Sequence, residues 1–240
     1  MTAVQSTAGT IASPVKADPY ADRQSLEFRF RERRFQRIRQ MIQSILDKTG
    51  HCSIIDLGGT ETYWLIGEEF IRRNRQRLSI TVVNTEPEDI RDRELFSFIQ
   101  GSATAPDLGR GRRFDLVHSN SVIEHVGSWQ EMQRFAENAR RLAPRYYIQT
   151  PNYWFPYEPH FRFPGFQYLP EAVRARLIMR WSLGFFRRID SRAEADDIIA
   201  HHQLLSARNM RVLFPDAEVS YEKAFGLNKS ILAVRDTPTA

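Results

Sequence analysis

The chain has 240 residues, of which 42% are hydrophobic and 26% are charged, and its formal net charge is +5. This length and apolar content suffice for one full hydrophobic core, so we expect a single domain with extensions. Cys52 is the only cysteine, which excludes an internal disulfide and a cysteine-based metal cluster, and we expect no metal. No run of about 18 apolar residues occurs, so we expect a cytoplasmic protein.

The N-terminal region divides into two parts. Residues 1–20 are small and polar, a composition that predicts a flexible tail. Over residues 21–48 hydrophobic side chains recur at helical spacing while arginines fill the other faces, which predicts an amphipathic basic helix that ends before Gly50. We expect residues 21–240 to form one domain, with residues 151–202 as an insertion.

The middle of the chain alternates between strand and helix patterns. Strands are predicted at residues 52–57, 78–84, 96–100, 114–119 and 146–150, and helices at residues 61–77 and 128–142. This alternation predicts βαβ units and a parallel sheet with right-handed crossovers.

The pattern changes after Pro151. A stretch rich in aromatic residues and proline leads into a predicted basic helix at residues 171–186, and a shorter helix follows at residues 206–213. Two strands at residues 217–223 and 230–235, joined by a turn at 226–228, predict an antiparallel hairpin.

Ligands of such open sheets bind beyond the carboxyl ends of the strands. After the first strand, Gly58 and Gly59 permit close approach of the backbone, and the Asp56 carboxylate can pair with an ammonium group. These features suit a bound amino acid. At the end of the second strand, Asn84 is the first choice for hydrogen bonding a ribose diol and Glu86 is the second.

The third and fourth strands also end in small polar residues. Ser102 and Ala103 suit the edge of an adenine ring, and Ser119 and Asn120 would face the same ligand. Each residue taken alone also has a structural explanation. Asp56 would cap a helix, Asn84 would form a turn, and Ser102 would be a loop hydroxyl.

Four segments together resemble bacterial class I S-adenosylmethionine-dependent methyltransferases. They are the hydrophobic-Asp-x-Gly-Gly turn, the Gly-Ser-Ala-Thr stretch from Gly101, FDLVHSNSVIEHV from Phe114 and YIQTPNYWFPYEPHF from Tyr147. The resemblance extends from the basic helix to the closing hairpin. It implies a Rossmann-like, doubly wound α/β fold, in which a seven-stranded, mostly parallel sheet with a C-terminal antiparallel hairpin lies in a three-layer αβα arrangement.

The resemblance also implies S-adenosyl-L-methionine as the cofactor. Its methionine end would be held by Asp56, Gly58, Gly59 and Thr60, its ribose by Asn84 or Glu86, its adenine by Ser102 and Ala103, and its backbone by Ser119 or Asn120. The chain departs from the family pattern at two positions. Thr60 stands near the usual third glycine, and Asn84 replaces the usual acidic residue.

The implied reaction is methyl transfer to a small-molecule, sugar or lipid-linked acceptor. Such a displacement needs alignment of the acceptor and exclusion of water, and a base is needed only for a weak nucleophile. Candidate bases are His118, His125, Glu158 and His160. His160 comes first, with Glu158 beside it, because it follows the fifth strand in the expected lid of residues 151–202. The equal alternative is that His160 merely pairs with Glu158 or with a backbone carbonyl.

Three further readings stay open. The basic helices have the composition of interfacial segments, which would place the protein at the inner face of a membrane. A basic Rossmann-like protein that binds or methylates RNA is the second function, although scattered arginines and prolines within the aromatic block make nucleic acid a poor partner. An oxidoreductase that uses a dinucleotide is the third, and the missing G-x-G-x-x-G motif argues against it.

Overall fold

The computed structural model describes residues 26–236, so the predicted tail of residues 1–20 lies outside the described part. The helices are α1 (Leu26–Thr49), α2 (Glu68–Arg73), α3 (Trp129–Leu142), α4 (Glu171–Arg180), α5 (Arg192–Ala200) and α6 (Ala207–Leu213). The strands are β1 (Cys52–Leu57), β2 (Leu78–Asn84), β3 (Phe96–Gln100), β4 (Leu116–Asn120), β5 (Arg145–Pro151), β6 (Tyr157–Glu158), β7 (Phe163–Pro164), β8 (Glu218–Ala224) and β9 (Leu227–Arg235).

Seven of the strands form one sheet in the order β3-β2-β1-β4-β5-β9-β8. Strand β9 runs antiparallel to both of its neighbours, and the other six strands are parallel to one another. Helices cover both faces of the sheet. The predicted fold class, a Rossmann-like sheet in three layers with a closing antiparallel hairpin, is confirmed.

The closing hairpin turns one residue earlier than predicted. Ala224 pairs with Leu227, so the turn consists of Phe225 and Gly226, with φ angles of 50° and 79°. Two successive positive φ angles define the type I′ turn, whose twist matches that of the flanking strands. The prediction of a turn at residues 226–228 was therefore wrong, because Leu227 already belongs to β9.

Side chains of the central strands alternate between two hydrophobic cores. Ile55 and Leu57 of β1 pack in the core that contains α3 and α6, whereas Ile54 packs in the core that contains α1. Strands of a parallel sheet covered on both faces are apolar along their length, which is why the short apolar runs were recognisable.

Two predicted helices are shorter in the structure. Residues 61–77 form a 3₁₀ segment, α2 and a second 3₁₀ turn, and the first two meet at Gly67, where a Cβ atom would be 1.9 Å from the Phe35 ring. The helix predicted at residues 171–186 ends at Arg180, because Trp181 already has extended backbone angles, and Gly184 then turns with a φ angle of 57° against the His160 carbonyl.

The segment 151–202, which we interpret as an acceptor-side insertion, contains β6, β7, α4 and α5 and a third hydrophobic cluster. Helix α5 was not predicted. Its N-cap, Ser191, accepts a hydrogen bond from the backbone N–H of Glu194, and the Ser-x-x-Glu spacing was a usable signal for it. None of the helices within residues 26–236 combines the length and apolarity needed to cross a membrane.

Candidate functional site

The turn after β1 is supported from below by Asp56, which is fully buried. Its Oδ2 accepts a hydrogen bond from the Trp64 indole N–H at 2.9 Å, and its Oδ1 lies 2.7 Å from Nδ1 of His118. A Cβ atom at Gly59 would lie 1.9 Å from Asp56 Oδ2, so only glycine fits there. The predicted contact of Asp56 with a cofactor stays a prediction, and the structure shows a supporting role.

Gly58 fixes the other side of the same turn. Its φ angle of 72° is unfavourable for residues with a side chain, and a Cβ atom there would lie 2.5 Å from Val122. Its backbone N–H donates to the Val83 carbonyl at 2.7 Å, which ties the turn to β2. The turn is therefore held against the ends of two neighbouring strands.

A cavity of about 340 Å³ lies at these strand ends. It is lined by Gly58, Val83, Asn84, Thr85, Gly101, Ser102, Ala103, Ser121, Val122, His125 and Val126. Four of the residues predicted to bind the cofactor thus meet at one site, namely Gly58, Asn84, Ser102 and Ala103. We call this space the strand-end cavity. Its volume lies within the range of about 300–1,000 Å³ that is usual for ligand sites.

Asn84 joins the first two strand ends. Its Nδ2 donates to the Gly59 carbonyl at 3.1 Å, and its Oδ1 accepts from the Glu86 backbone N–H at 3.2 Å. The side chain is half-buried at the cavity wall. Glu86 contributes its backbone to this arrangement, while its own side chain is exposed.

Three further predicted residues, Thr60, Ser119 and Asn120, do not line the strand-end cavity. Thr60 contacts the Thr62 hydroxyl at 2.9 Å, and buried Ser119 donates to the Leu57 carbonyl at 2.8 Å, which joins β4 to β1. Asn120 accepts a hydrogen bond from Arg34 at 2.6 Å. Contacts of these three residues with a cofactor stay predictions.

A second cavity, of about 450 Å³, adjoins the first, and we call it the basic cavity. Its lining includes four cationic side chains, from Arg31, Arg34, Arg162 and Lys229, and none of the residues described around it carries a carboxylate. Aromatic and polar groups complete it, from Phe155, Tyr157, Phe185, Gln149, Asn152 and His160. Such a lining favours a ligand with an anionic group.

Arg34 is held in place at the base of this cavity. Its Nε donates to Glu222 Oε1 at 2.9 Å, and its Nη1 donates to Asn120 Oδ1 at 2.6 Å. Both partners come from strands of the central sheet, whereas Arg34 comes from α1. The predicted basic helix thus contributes to the site directly.

Ser121 lines both cavities. Its φ angle is 56°, an uncommon value for a residue with a side chain, and its hydroxyl donates to Gln149 Oε1 at 2.9 Å. Strained residues of this kind occur preferentially at functional sites. Ser121 therefore marks the junction at which ligands of the two cavities would meet.

Three imidazoles gather beside this junction. His125 lines the strand-end cavity and His160 lines the basic cavity, and their ring centroids are 4.6 Å apart. His202 lies 4.7 Å from His125 and 5.1 Å from His160 by the same measure. We call these three residues the histidine cluster.

Two carboxylates accompany the histidine cluster. Glu158 Oε1 accepts from His160 Nδ1 at 2.6 Å, and its Oε2 accepts from the Phe161 backbone N–H at 2.6 Å. Glu124 is fully buried, and its Oε2 accepts from the Thr150 hydroxyl at 2.9 Å. The predicted pairing of His160 with Glu158 is present in the structure.

Burial changes the pKa of two groups near the junction, Glu124 and His202. Removal from water raises the pKa of Glu124 to about 7. Burial likewise lowers the pKa of His202 to about 4, and the neighbouring histidines act in the same direction. His202 is therefore a neutral imidazole at pH 7. His118, a candidate base in the sequence, is 1% exposed and lies beneath the turn instead.

Several lining residues were missed from the sequence. Ser121 follows β4 and lies two residues beyond the end of the predicted strand. Arg31 and Lys229 lie 198 positions apart in the chain, so no local pattern brings them together. His202 follows α5, a helix that was itself not predicted.

Comparisons of the sequence with known proteins give limited information. No family model matches the chain. Two uncharacterized proteins, from two strains of Mycobacterium tuberculosis, are 39% identical to it over 62 residues. The match covers 26% of this chain and 21% of the length of each relative.

Comparisons of the structure are more extensive. The CMeT domain of the citrinin polyketide synthase matches with a TM-score of 0.50 and 10% identity, over 83% of this chain and 51% of that one. An O-methyltransferase family protein from Burkholderia thailandensis matches with a TM-score of 0.46 and 13% identity, over 85% of this chain and 56% of that one. The strand order and the match to the CMeT domain together show that the chain has the Rossmann-like methyltransferase fold.

Proposed function

We propose that this protein transfers a methyl group from S-adenosyl-L-methionine to a small-molecule, sugar or lipid-linked acceptor that carries an anionic group. The observation that carries the proposal is the junction at Ser121, where a cavity at the strand ends meets a basic cavity. A group-transfer enzyme needs two such ligand sites that open onto each other. The fold and the order of the strand-end motifs support the same activity.

The strand-end cavity would hold the cofactor. Gly101 leaves room for close approach to the backbone, and Asn84 and Ser102 offer polar atoms for the ribose and the adenine edge. Asp56 and Gly59 would hold the turn in shape from below. Bound there, S-adenosyl-L-methionine would supply an electrophilic methyl group to an acceptor lone pair, and the electrons of the C–S bond would remain on sulfur.

The basic cavity would hold the acceptor. Arg34 is paired with Glu222, and the cationic side chains of Arg31, Arg162 and Lys229 suit a phosphate, sulfate or carboxylate group, while the aromatic walls exclude water. His160 and Glu158 are the side chains that we assign to activating the acceptor. Holding both partners in line is worth on the order of 7–11 kcal/mol of the barrier, so alignment is the main contribution of the chain.

The proposal is tested by calorimetric titration with S-adenosylhomocysteine, the demethylated product. Asn84→Ala removes a polar group from the cavity wall and is expected to weaken binding by about 2- to 10-fold, the equivalent of one hydrogen bond. Glu86→Ala tests the second candidate for the ribose contact, and Asp107→Ala, at an exposed position outside the cavity lining, is the control. A larger loss in Glu86→Ala than in Asn84→Ala would move the ribose contact to Glu86, and absence of binding to the unmodified protein would refute the proposal.

Two other expectations stay predictions. Contact with the inner face of a membrane would involve α1 and α4, near which Trp181 and Phe185 are 55% and 42% exposed. Binding to anionic lipid vesicles, compared with neutral ones, tests this. A cytoplasmic location follows only from the sequence argument.

A further inference from the structure

The histidine cluster has a feature that a simple packing role does not require. In each of its three histidines, Nδ1 contacts an oxygen that can only accept a hydrogen bond. These oxygens are the His201 carbonyl for His125 at 3.1 Å, Glu158 Oε1 for His160 at 2.6 Å, and the Ile198 carbonyl for His202 at 2.6 Å. In the neutral form of each ring, Nδ1 therefore carries the hydrogen and Nε2 carries the lone pair.

This is the arrangement that proteins use to prepare histidines as metal ligands. A ligating imidazole almost always donates its other N–H to a carboxylate or a backbone carbonyl, which fixes both the tautomer and the ring orientation. His160 has a carboxylate in this role, and His125 has a carbonyl. The orientation of each ring is thus fixed from outside the cluster.

Glu124 provides the independent observation. It is 0% exposed, and its Oε1 has no hydrogen-bond partner among the described residues, although Oε2 is bonded to Thr150. Oε1 lies 3.9 Å from Nε2 of His125. A buried carboxylate oxygen left without a donor is costly, and a bound cation would satisfy it.

We propose that Glu124, His125 and His160 form a binding site for a divalent transition-metal ion. One ligand atom from each residue lies within 4.8 Å of the other two. Ligands at about 2.1 Å from one ion are closer together than this, so binding requires side-chain movements on the order of 1 Å. Two imidazoles and one carboxylate suit Zn²⁺ or Fe²⁺, and His202 packs beside the site as a third imidazole.

The position of this site gives it a role, which rests on the proposed function. Three protein ligands leave one coordination position of the metal open, as in catalytic zinc sites. Because His160 lines the basic cavity, that open position would face the cavity. An acceptor hydroxyl bound there would lose its proton to solvent more readily, and its oxygen would then attack the methyl carbon as the C–S bond breaks. His160 would act as a ligand, and Glu158 would position it.

The expectation of no metal came from the single cysteine. That argument excludes only sites built on several cysteines, and it says nothing about histidine and carboxylate ligands. His125 and His160 are 35 residues apart, so their spacing matches no short metal-binding pattern. Only the fold brings them together.

The test is titration of chelator-treated, full-length protein with Co²⁺, followed by its visible absorption, and with Zn²⁺ by calorimetry. The protein and the control His51→Ala, an exposed histidine before β1, are expected to bind one equivalent. Glu158→Gln should weaken binding by about 10- to 100-fold, and His125→Ala and His160→Ala by at least as much. Glu124→Gln, which keeps the shape of the side chain, provides the same test if an alanine variant does not fold.

The outcomes separate the two proposals. No binding of Co²⁺ or Zn²⁺, or equal affinity in His160→Ala, overturns the metal site and leaves His160 as a base. Binding of S-adenosylhomocysteine by the chelator-treated protein supports the proposed function independently of the metal. Metal binding without binding of that product overturns methyl transfer and leaves the metal site in place.

Discussion

His118 and Asp56 share a hydrogen bond beneath the turn that follows β1, with 2.7 Å between Nδ1 of the histidine and Oδ1 of the aspartate. Neither side chain is more than 1% exposed. The second oxygen of Asp56 accepts from the Trp64 indole. One carboxylate thus connects β1, β4 and the 3₁₀ segment after the turn, so the turn depends on buried polar contacts.

Replacement of Asp56 by alanine should therefore destabilise the protein. Trp64 and His118 would each lose an acceptor, and a buried group left without its partner costs about 1–3 kcal/mol. The free energy of unfolding, measured by urea denaturation, should fall by roughly 2–6 kcal/mol in Asp56→Ala. Asp107→Ala, at an exposed position, should change it by less than about 0.5 kcal/mol. Equal effects in the two variants would rule out this role for Asp56.

Gly59 should not tolerate even a methyl group. Its Cβ atom would lie 1.9 Å from Asp56 Oδ2, and that oxygen is held by Trp64. Gly59→Ala is expected to cost about 1–3 kcal/mol by overpacking. Gly101→Ala is the matched control, because nothing lies within 4 Å of a Cβ atom there. Comparable unfolding midpoints for the two variants would contradict the close approach.

Cys52 should report on global unfolding. The thiol is 0% exposed, and burial, assisted by the charge of Asp115, raises its pKa to about 12. Because the thiolate is the reactive form, a colorimetric thiol reagent should react slowly at pH 8 and rapidly in urea. Gln130→Cys, placed on an exposed position in a Cys52→Ala background, should react at once. Rapid reaction of Cys52 in the native protein would show that the core opens locally.

Asp216 should make stability depend on pH in the acid range. Burial raises its pKa, but the Tyr146 hydroxyl and the Arg235 guanidinium outweigh this, and the pKa lies below the ordinary value of 3.8. A carboxyl whose pKa is lower in the folded state contributes stability above pH 3.8, and this stability is lost as the pH falls through the folded value.

The test compares Asp216→Asn with the unmodified protein across pH. The variant should be less stable at pH 7, by about 1.5–3 kcal/mol for the loss of charge-assisted hydrogen bonds. The difference should shrink as the pH falls below about 4. Asp107→Asn serves as the exposed control. A difference that stays constant down to pH 2 would show that the charge of Asp216 is not the cause.

The fold could be predicted from sequence because its strands are short apolar runs with clear ends. The bounds of β1, β2 and β3 coincide with the prediction, and each strand is followed by glycine or polar residues. Helices were less predictable where a glycine was required by packing. Gly67 meets Phe35 and Gly184 meets His160, and neither contact is visible in a local pattern.

The candidate site also has a part that could be predicted from sequence and a part that could not. Gly58, Asn84, Ser102 and Ala103 could be grouped from sequence, because the carboxyl ends of parallel strands lie at one edge of a sheet. The basic cavity could not, since it combines residues of α1, the insertion and β9. His125 was one of four candidate bases in the sequence, Glu124 was not among them, and only the nearness of both to His160 suggests a metal site.

The central claim is that the strand-end cavity binds S-adenosyl-L-methionine, and calorimetric titration of the unmodified protein tests it most directly. The account predicts one equivalent of S-adenosyl-L-methionine or S-adenosylhomocysteine bound per chain, and no binding of NAD under the same conditions. Binding of NAD, or no measurable heat with either sulfur compound, would contradict it.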